Sequence, residues 1–179
     1  NKLVIGTKSG GLSMLDVSRD RITNFNAIFK IKSESQLRVM SLNQDARGYI
    51  WVGTWNNGVF VIDPLGRKVI DHFTFRTPIL SIIKDRAAHI WFVAGYELIK
   101  ASQAQYQLTR IRLPYVMNSL VEDTDRGKIW MVGNTDIKVR LLSVDMVDQR
   151  IEDHAPNLQA KYVKSITIDR KQRIWLGSW

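Results

Sequence analysis

The sequence predicts an all-β protein built from four-stranded antiparallel sheets of the kind that form the blades of a β-propeller, with about four blades in the chain. Two observations predict this fold. A block ending in Ile-Trp recurs, and its anchor positions are separated by 39 to 47 residues. A period in this range with one aromatic anchor per unit is typical of propeller blades. Apolar runs of strand length, separated by turn residues, fill the period.

The repeated block consists of a Ser, an Asp four residues later and, after a short turn, an Ile-Trp pair. The copies begin at Ser41, Ser81, Ser119 and Ser165, their acidic residues are Asp45, Asp85, Asp123 and Asp169, and their anchors are Trp51, Trp91, Trp130 and Trp175. A fifth, partial copy opens the chain with Val4 at the anchor position. We expect each Asp to accept hydrogen bonds from backbone N–H groups of its turn. We expect each Trp to fill the space between two blades.

Four strands are predicted within the second unit, over residues 38–44, 49–54, 58–63 and 68–73, which are rich in Val, Ile and aromatic residues. Turn residues separate them. No window of comparable length has the 3.6-residue apolar spacing of a helix. The predicted units are residues 1–35, 36–76, 77–114, 115–160 and a partial 161–179, together a single propeller fragment over 1–179.

Composition narrows the class of protein. A chain of 179 residues, 45% of them hydrophobic, is long enough to bury a core. The absence of Cys excludes a disulfide scaffold, a thiolate metal site and a cysteine nucleophile. No uncharged apolar run reaches the roughly 18 residues of a membrane helix, so we expect no membrane contact by this segment. The net charge of +9 comes from scattered and alternating basic residues rather than a basic stripe, which argues against a nucleic-acid partner.

The residue types needed for catalysis or metal binding do not recur in a suitable pattern. His72, His89 and His154 lack a partner at metal-ligand spacing, although a Ser-His-Asp triad assembled from distant positions stays open. Residues 123–127 begin like a calcium loop, but the bidentate Glu that such a loop needs is absent. We therefore predict no catalytic residue, no metal and no cofactor in this chain.

The pattern Ser-x-x-x-Asp, turn, Ile-Trp-x-Gly-Thr and then Gly-Val/Leu-x-x-Ile/Leu-Asp resembles the two-component regulator propeller repeat. Residues 39–63 match it best, through 50–54 and 58–63, and the opening copy matches through 5–7 and 11–16. The third and fourth copies carry their Gly late, and no Gly-Leu pair follows. The resemblance covers essentially the whole chain.

The resemblance implies a function and a cellular location. In that family the repeats form the periplasmic sensor region of an inner-membrane hybrid two-component protein, usually as seven-bladed propellers. A further β-domain, a membrane helix, a histidine kinase and a response regulator follow. A seven-bladed ring would need roughly 300 residues. The chain opens without Met, and its last residues, 175–179, repeat the strand at 3–7. We therefore expect a portion of a larger propeller. We expect that this portion is not itself an enzyme.

The loop after the Trp strand is the predicted ligand site. Trp51-x-x-x-Trp55 is echoed by Trp175-x-x-x-Trp179, and aromatic faces beside amides and charges suit the stacking of a sugar. The candidate ligand residues are Lys8, Trp55, Asn56, Tyr96, Asn134 and Trp179. Lys8, with Arg38 and Arg76, would meet acidic groups, so the expected ligand is a small oligosaccharide, acidic ones included. Alternatively, Trp55 only covers its own turn.

Two further functions stay open. A propeller enzyme of the lyase or glycosidase type would need a His with a carboxylate at one mouth of the ring. A scaffold propeller would bind a protein, although the Trp-Asp dipeptide of the commonest such family is absent. The other expected partners are the remaining blades and the downstream sensor and kinase domains. Since an uncovered blade face is a large apolar patch, we also expect self-association.

Overall fold

The structure is a computed structural model that describes residues 2–31, 37–102, 106–135, 138–154 and 162–178. These residues form strands, turns and a single 3₁₀ turn, Asn26–Phe29. Every pair of strands whose register is defined runs antiparallel. The predicted all-β fold is confirmed.

The strands group into five sheets. The first contains β1 (Lys2–Thr7), β2 (Gly11–Asp16) and β3 (Arg21–Asn24). The second contains β4 (Val39–Gln44), β5 (Ile50–Thr54), β6 (Val59–Ile62) and β7 (Val69–Phe73). The third contains β8 (Ile82–Lys84), β9 (Ile90–Ala94), β10 (Glu97–Ala101) and β11 (Leu108–Arg112). The fourth contains β12 (Ser119–Asp123), β13 (Lys128–Asn134), β14 (Val139–Asp145) and β15 (Ile151–Asp153), and the fifth contains β16 (Val163–Ile168) and β17 (Ile174–Ser178).

Strands follow one another in space in the order in which they follow along the chain, so each sheet is a simple meander. The three complete sheets have four strands, as a propeller blade has. In the second sheet the observed strands lie within about one residue of the predicted ones, because the Val, Ile and aromatic runs and the turn residues between them mark the boundaries locally. The predicted blade architecture is confirmed.

The chain divides into two compact units, residues 1–82 and 83–179. In the first unit, one apolar core joins residues of the first two sheets and includes Leu12, Phe29, Val52 and Phe60. Sheets therefore bury their apolar faces against each other in this unit, as packed β-layers do.

In the second unit, two cores formed by described residues share one strand. Ile129 and Met131 of β13 lie in the core that contains Trp91, whereas Trp130 and Val132 lie in the core that contains residues of β16. Successive side chains of a strand point to opposite faces, so β13 contributes to both cores at once. This burial on both faces explains why its sequence is a continuous apolar run.

The Ser and the Gly of the repeat lie opposite each other on neighbouring strands. Ser41 of β4 lies opposite Gly53 of β5, and its hydroxyl donates to the carbonyl of Ile79 at 2.6 Å. A Cβ on Gly53 would overlap the Ser41 hydroxyl and crowd the Ile79 carbonyl. Ser165 and Gly177 form the same cross-strand pair in the fifth sheet. The Gly therefore gives the hydroxyl room to bond with the chain beyond its own sheet.

Candidate functional site

Repeated polar residues lie at both ends of the sheets. At one end, the turn between the first and second strands carries the Asp of the repeat. In all four copies the indole N–H of the Trp donates to Oδ2 of this Asp. The Nε1 to Oδ2 distances are 3.3 Å for Trp51–Asp45, 2.7 Å for Trp91–Asp85, 3.0 Å for Trp130–Asp123 and 2.9 Å for Trp175–Asp169. The other carboxylate oxygen accepts backbone N–H bonds of the turn, as predicted. The indole bond was not predicted, although the near-constant Asp-to-Trp spacing signals it.

Basic side chains lie on the same carboxylates. Arg126 Nη1 is 2.8 Å from Asp123 Oδ2, and Arg173 Nε is 2.7 Å from Asp169 Oδ2. His89 takes the corresponding place on Asp85, with Nδ1 3.0 Å from Oδ2. Several basic residues therefore neutralise turn carboxylates, but these pairs do not account for the net charge of +9, since each pair is itself neutral.

Two of these carboxylates have a lowered pKa. Burial alone would raise the pKa of Asp123, but the hydrogen bonds from Arg126 and Trp130 favour the ionised form more strongly, so the pKa lies below its ordinary value. The indole of Trp175 is the main cause of the lowered pKa of Asp169. Both groups are carboxylates at neutral pH, and each holds a turn to a strand. Neither is suited to donate a proton.

In the second unit, burial of the anchor Trp depends on whether a further sheet follows it. Trp91 is 0% exposed and lies among Met117, Leu120 and other residues of the next sheet. Trp175, in the two-stranded fifth sheet, is 53% exposed. The Trp therefore has the predicted place between sheets wherever a further sheet is present in its unit.

The three histidines do not form a triad. His72 lies on β7 and stacks on Phe60, and His89 lies in its Asp turn. His154 Nε2 is 2.9 Å from Ser143 Oγ, but Glu152 Oε2 approaches that same nitrogen at 3.9 Å. In a Ser-His-acid triad the acid instead holds Nδ1. Ser143 is also only 1% exposed, so a substrate would not reach it.

In the part of the chain that the structure describes, no group of three or more His, Asp and Glu side chains could hold a metal ion. Asp123, the first residue of the calcium-like segment, is already occupied by Arg126 and Trp130. That segment therefore forms a turn whose first carboxylate is used internally.

At the opposite end of the sheets, a Thr closes the loop after the second strand. Thr54 Oγ1 donates to the carbonyl of Gly58 at 2.8 Å and accepts from the Asn57 N–H at 2.9 Å. Thr7 makes the same contacts with Gly11 and Gly10. Gly11 and Gly58 have φ of 71° and 72°, a left-handed conformation that favours glycine. These bonds explain the Gly-Thr and following Gly of the repeat.

The closed loops place Lys8 and Trp55 at equivalent positions, directly after the Thr, and both side chains are exposed. Trp55 is 39% exposed, and the guanidinium carbon of Arg38 lies 4.8 Å from its ring centroid. Asn56 is exposed and accepts a bond from Asn57 Nδ2 at 2.9 Å. The first unit therefore carries an aromatic face, a cation and amides on one pair of loops.

The predicted ligand residues of the second unit, Tyr96 and Asn134, have different surroundings. Tyr96 is 50% exposed, and Arg112 lies over its ring at 5.4 Å, which repeats the aromatic and guanidinium pair of Trp55. The amide of Asn134 instead bridges the backbone N–H and carbonyl of Val163 at 2.9 and 2.8 Å. Trp179 lies outside the described residues.

Comparisons with known proteins agree with this architecture. The family model "Two component regulator propeller" matches residues 33–56, which confirms the resemblance to that repeat. No curated protein matches the chain. Among solved structures, the chain is similar to the extracellular domains of the hybrid two-component systems BT3049 and BT4673 from B. thetaiotaomicron. Identities are 19% and 18%, TM-scores 0.76 and 0.75, and 99% of this chain is covered in both.

The chain spans 24% and 25% of the length of those two structures. A streptogramin B lyase is also similar, with 20% identity and a TM-score of 0.65 over 78% of this chain and 48% of the lyase. Identities this low establish the propeller fold alone. Within the described residues, no helix combines the length and the apolar character needed to cross a membrane.

Proposed function

We propose that this chain is part of the ligand-sensing propeller of a hybrid two-component sensor, on the extracytoplasmic side of the inner membrane. The repeat match and the likeness to two extracellular sensor domains support this proposal. The kinase activity of such a sensor would belong to other parts of the protein. In this proposal the chain binds a ligand and passes a change in blade arrangement to those parts.

The observation that carries the ligand proposal is the recurrence of an exposed aromatic ring with a guanidinium over it, on the loop after the second strand. An aromatic face of this kind stacks on the apolar face of a sugar ring, and the adjacent Asn56 and Lys8 supply amide and ammonium groups. We therefore propose a small oligosaccharide as the ligand, with acidic sugars favoured by Lys8, Arg38 and Arg76. The arrangement favours this over an enzyme, because the histidines form no Ser-His-acid triad, and His72 beside the Trp55 loop instead contacts the carbonyl of Asn57 at 2.6 Å.

The replacement of Trp55 by alanine tests this site. A glycan array with the wild-type chain is expected to show a defined set of retained oligosaccharides. The Trp55→Ala variant should bind them about tenfold more weakly, since the stacking face is lost. The variant should stay folded, because Trp55 is 39% exposed and lies outside the described apolar cores.

Leu65→Ala is the matched control, since Leu65 is a 48% exposed apolar residue in the turn at the other end of the same sheet. It is expected to bind like the wild type. A flat response to all oligosaccharides, acidic ones included, would count against the proposal, and so would equal binding by both variants.

We also propose that the terminal sheets are covered by further blades in the intact protein, and by a second copy when the chain is alone. Leu3, Ile22 and Trp175 are 54%, 66% and 53% exposed, an unusual loss of burial for large apolar side chains on a sheet. Light scattering of the isolated chain should give a mass above the 20.6 kDa of one copy. A monomeric mass at all concentrations would contradict self-association.

A further inference from the structure

A cleft of about 380 Å³ runs along the outer strand of the second sheet, within the first unit. The 3₁₀ turn Asn26–Phe29 and the residue after it form one side, and β6, β7 and the turn between them form the other. Trp55 does not line it. The cleft adjoins the Trp55 loop, since His72 Nε2 lies 2.6 Å from the carbonyl of Asn57, but it does not include Trp55. Ligand binding in the cleft does not depend on the sensor function.

Three aromatic rings in contact form the floor of the cleft. Phe29 meets Phe60 edge to face, with ring centroids 4.9 Å apart and an interplanar angle of 78°. The imidazole of His72 lies flat on Phe60 at 3.9 Å and 7°. Phe29 and Phe60 are 6% and 3% exposed, whereas His72 is exposed. The floor is thus a buried pair of phenyl rings with the exposed imidazole of His72 upon it.

The rim of the cleft is cationic. Lys30, Arg67 and Lys68 line it, and no carboxylate of the described residues does. Arg67 uses Nε to neutralise the buried carboxylate of Asp63 at 3.0 Å, so its two terminal nitrogens keep their donors for another acceptor. Lys30 and Lys68 form no side-chain ion pair with any described residue. Two positive charges are therefore uncompensated beside an aromatic floor.

We propose that this cleft binds a small organic anion, a carboxylate carried on a six-membered ring. The ring would lie on His72, and the carboxylate would meet Lys30, Lys68 and the free nitrogens of Arg67. Cationic donors around a carboxylate form short, strong hydrogen bonds, and Arg matches both carboxylate oxygens. The volume lies in the range of natural small-molecule sites and has room for one or two rings.

Isothermal titration calorimetry with four probes tests the proposal on the full chain. D-glucuronate and benzoate carry a carboxylate on a ring, D-glucose carries the ring without the charge, and acetate carries the charge without the ring. Saturable binding is expected for at least one ring carboxylate, with none for D-glucose and markedly weaker binding for acetate. Binding of glucuronate alone would identify the ligand as a sugar acid, and binding of benzoate alone would identify it as an aromatic acid. Binding of both would show that the cleft recognises the ring and carboxylate that the two probes share.

The double variant Lys30→Gln/Lys68→Gln should bind the ring carboxylate at least about tenfold more weakly, the loss of roughly one charge-assisted hydrogen bond. Lys84→Gln is the matched control, an exposed lysine on β8 that does not line the cleft. It should bind like the wild type. The proposal is overturned if no ring carboxylate binds, if acetate binds as tightly as the ring acids, or if the double variant binds like the control.

Discussion

Replacement of Trp91 by alanine is expected to lower the free energy of unfolding by about 4 kcal/mol, because a fully buried aromatic side chain leaves a large cavity. Trp91 is 0% exposed and lies in the core formed by the third and fourth sheets. Its indole bond to Asp85 would be lost as well, and the Asp85 carboxylate would stay buried at 5% exposure with His89 beside it. Denaturant unfolding monitored by circular dichroism measures the loss.

Trp175→Ala is the matched control for this prediction. Trp175 holds the same position in the repeat and makes the same bond to its Asp, but it is 53% exposed. In the monomeric chain its replacement should cost about 2 kcal/mol, half of the loss at Trp91, since about half of the side chain is already in water. Equal losses for the two variants would show that burial between sheets is not what the repeated Trp contributes.

Replacement of Asp123 by alanine is expected to cost about 3 kcal/mol. Asp123 is 1% exposed and accepts bonds from the Trp130 indole, the Arg126 guanidinium and the Arg126 backbone N–H. The variant leaves the indole N–H without an acceptor in a buried position. Asp125→Ala, in the same turn but exposed, should cost about 0.5 kcal/mol. An equal loss at both positions would contradict the role given to the buried carboxylate.

The loss at Asp123 should also depend on pH. The pKa of this carboxyl in the folded protein lies below its unfolded value, so its stabilisation is complete above about pH 4 and disappears as the pH falls through the folded pKa. The difference in unfolding free energy between wild type and Asp123→Ala should therefore be largest near about pH 7 and shrink as the pH falls below about 4, the usual pKa of an unfolded Asp. A difference that grows on acidification would be inconsistent with an ionised Asp123.

The sheets could be predicted because their signals are local. Alternating apolar residues, the Asp and Gly of the turns and the recurring Ile-Trp pair each mark a strand or its end within a few residues. The resemblance to the propeller repeat rested on the same residues. The 3₁₀ turn Asn26–Phe29 was not predicted, because it is too short to show a helical period.

The side-chain contacts could not be predicted in the same way. The Asp-to-Trp spacing is visible in the sequence, but only a folded turn shows that the indole reaches the carboxylate. Asn134 was assigned to the ligand site by its distance from the Trp. In the structure Thr135 closes that loop five residues after Trp130, whereas Thr54 lies three residues after Trp51. Asn134 therefore stays at the end of β13 and bonds to Val163. The cleft at Lys30 is lined by segments that are far apart in the chain, and no sequence motif predicts it.

Whether these blades serve a sensor of the two-component type is tested most directly by determining the coding sequence on both sides of residues 1–179. Repeat number, membrane helices and catalytic domains are then read together. We predict further repeats of the same pattern, then a membrane helix and a histidine kinase domain. A coding sequence with no membrane segment and no kinase after the propeller would contradict the proposed sensor function.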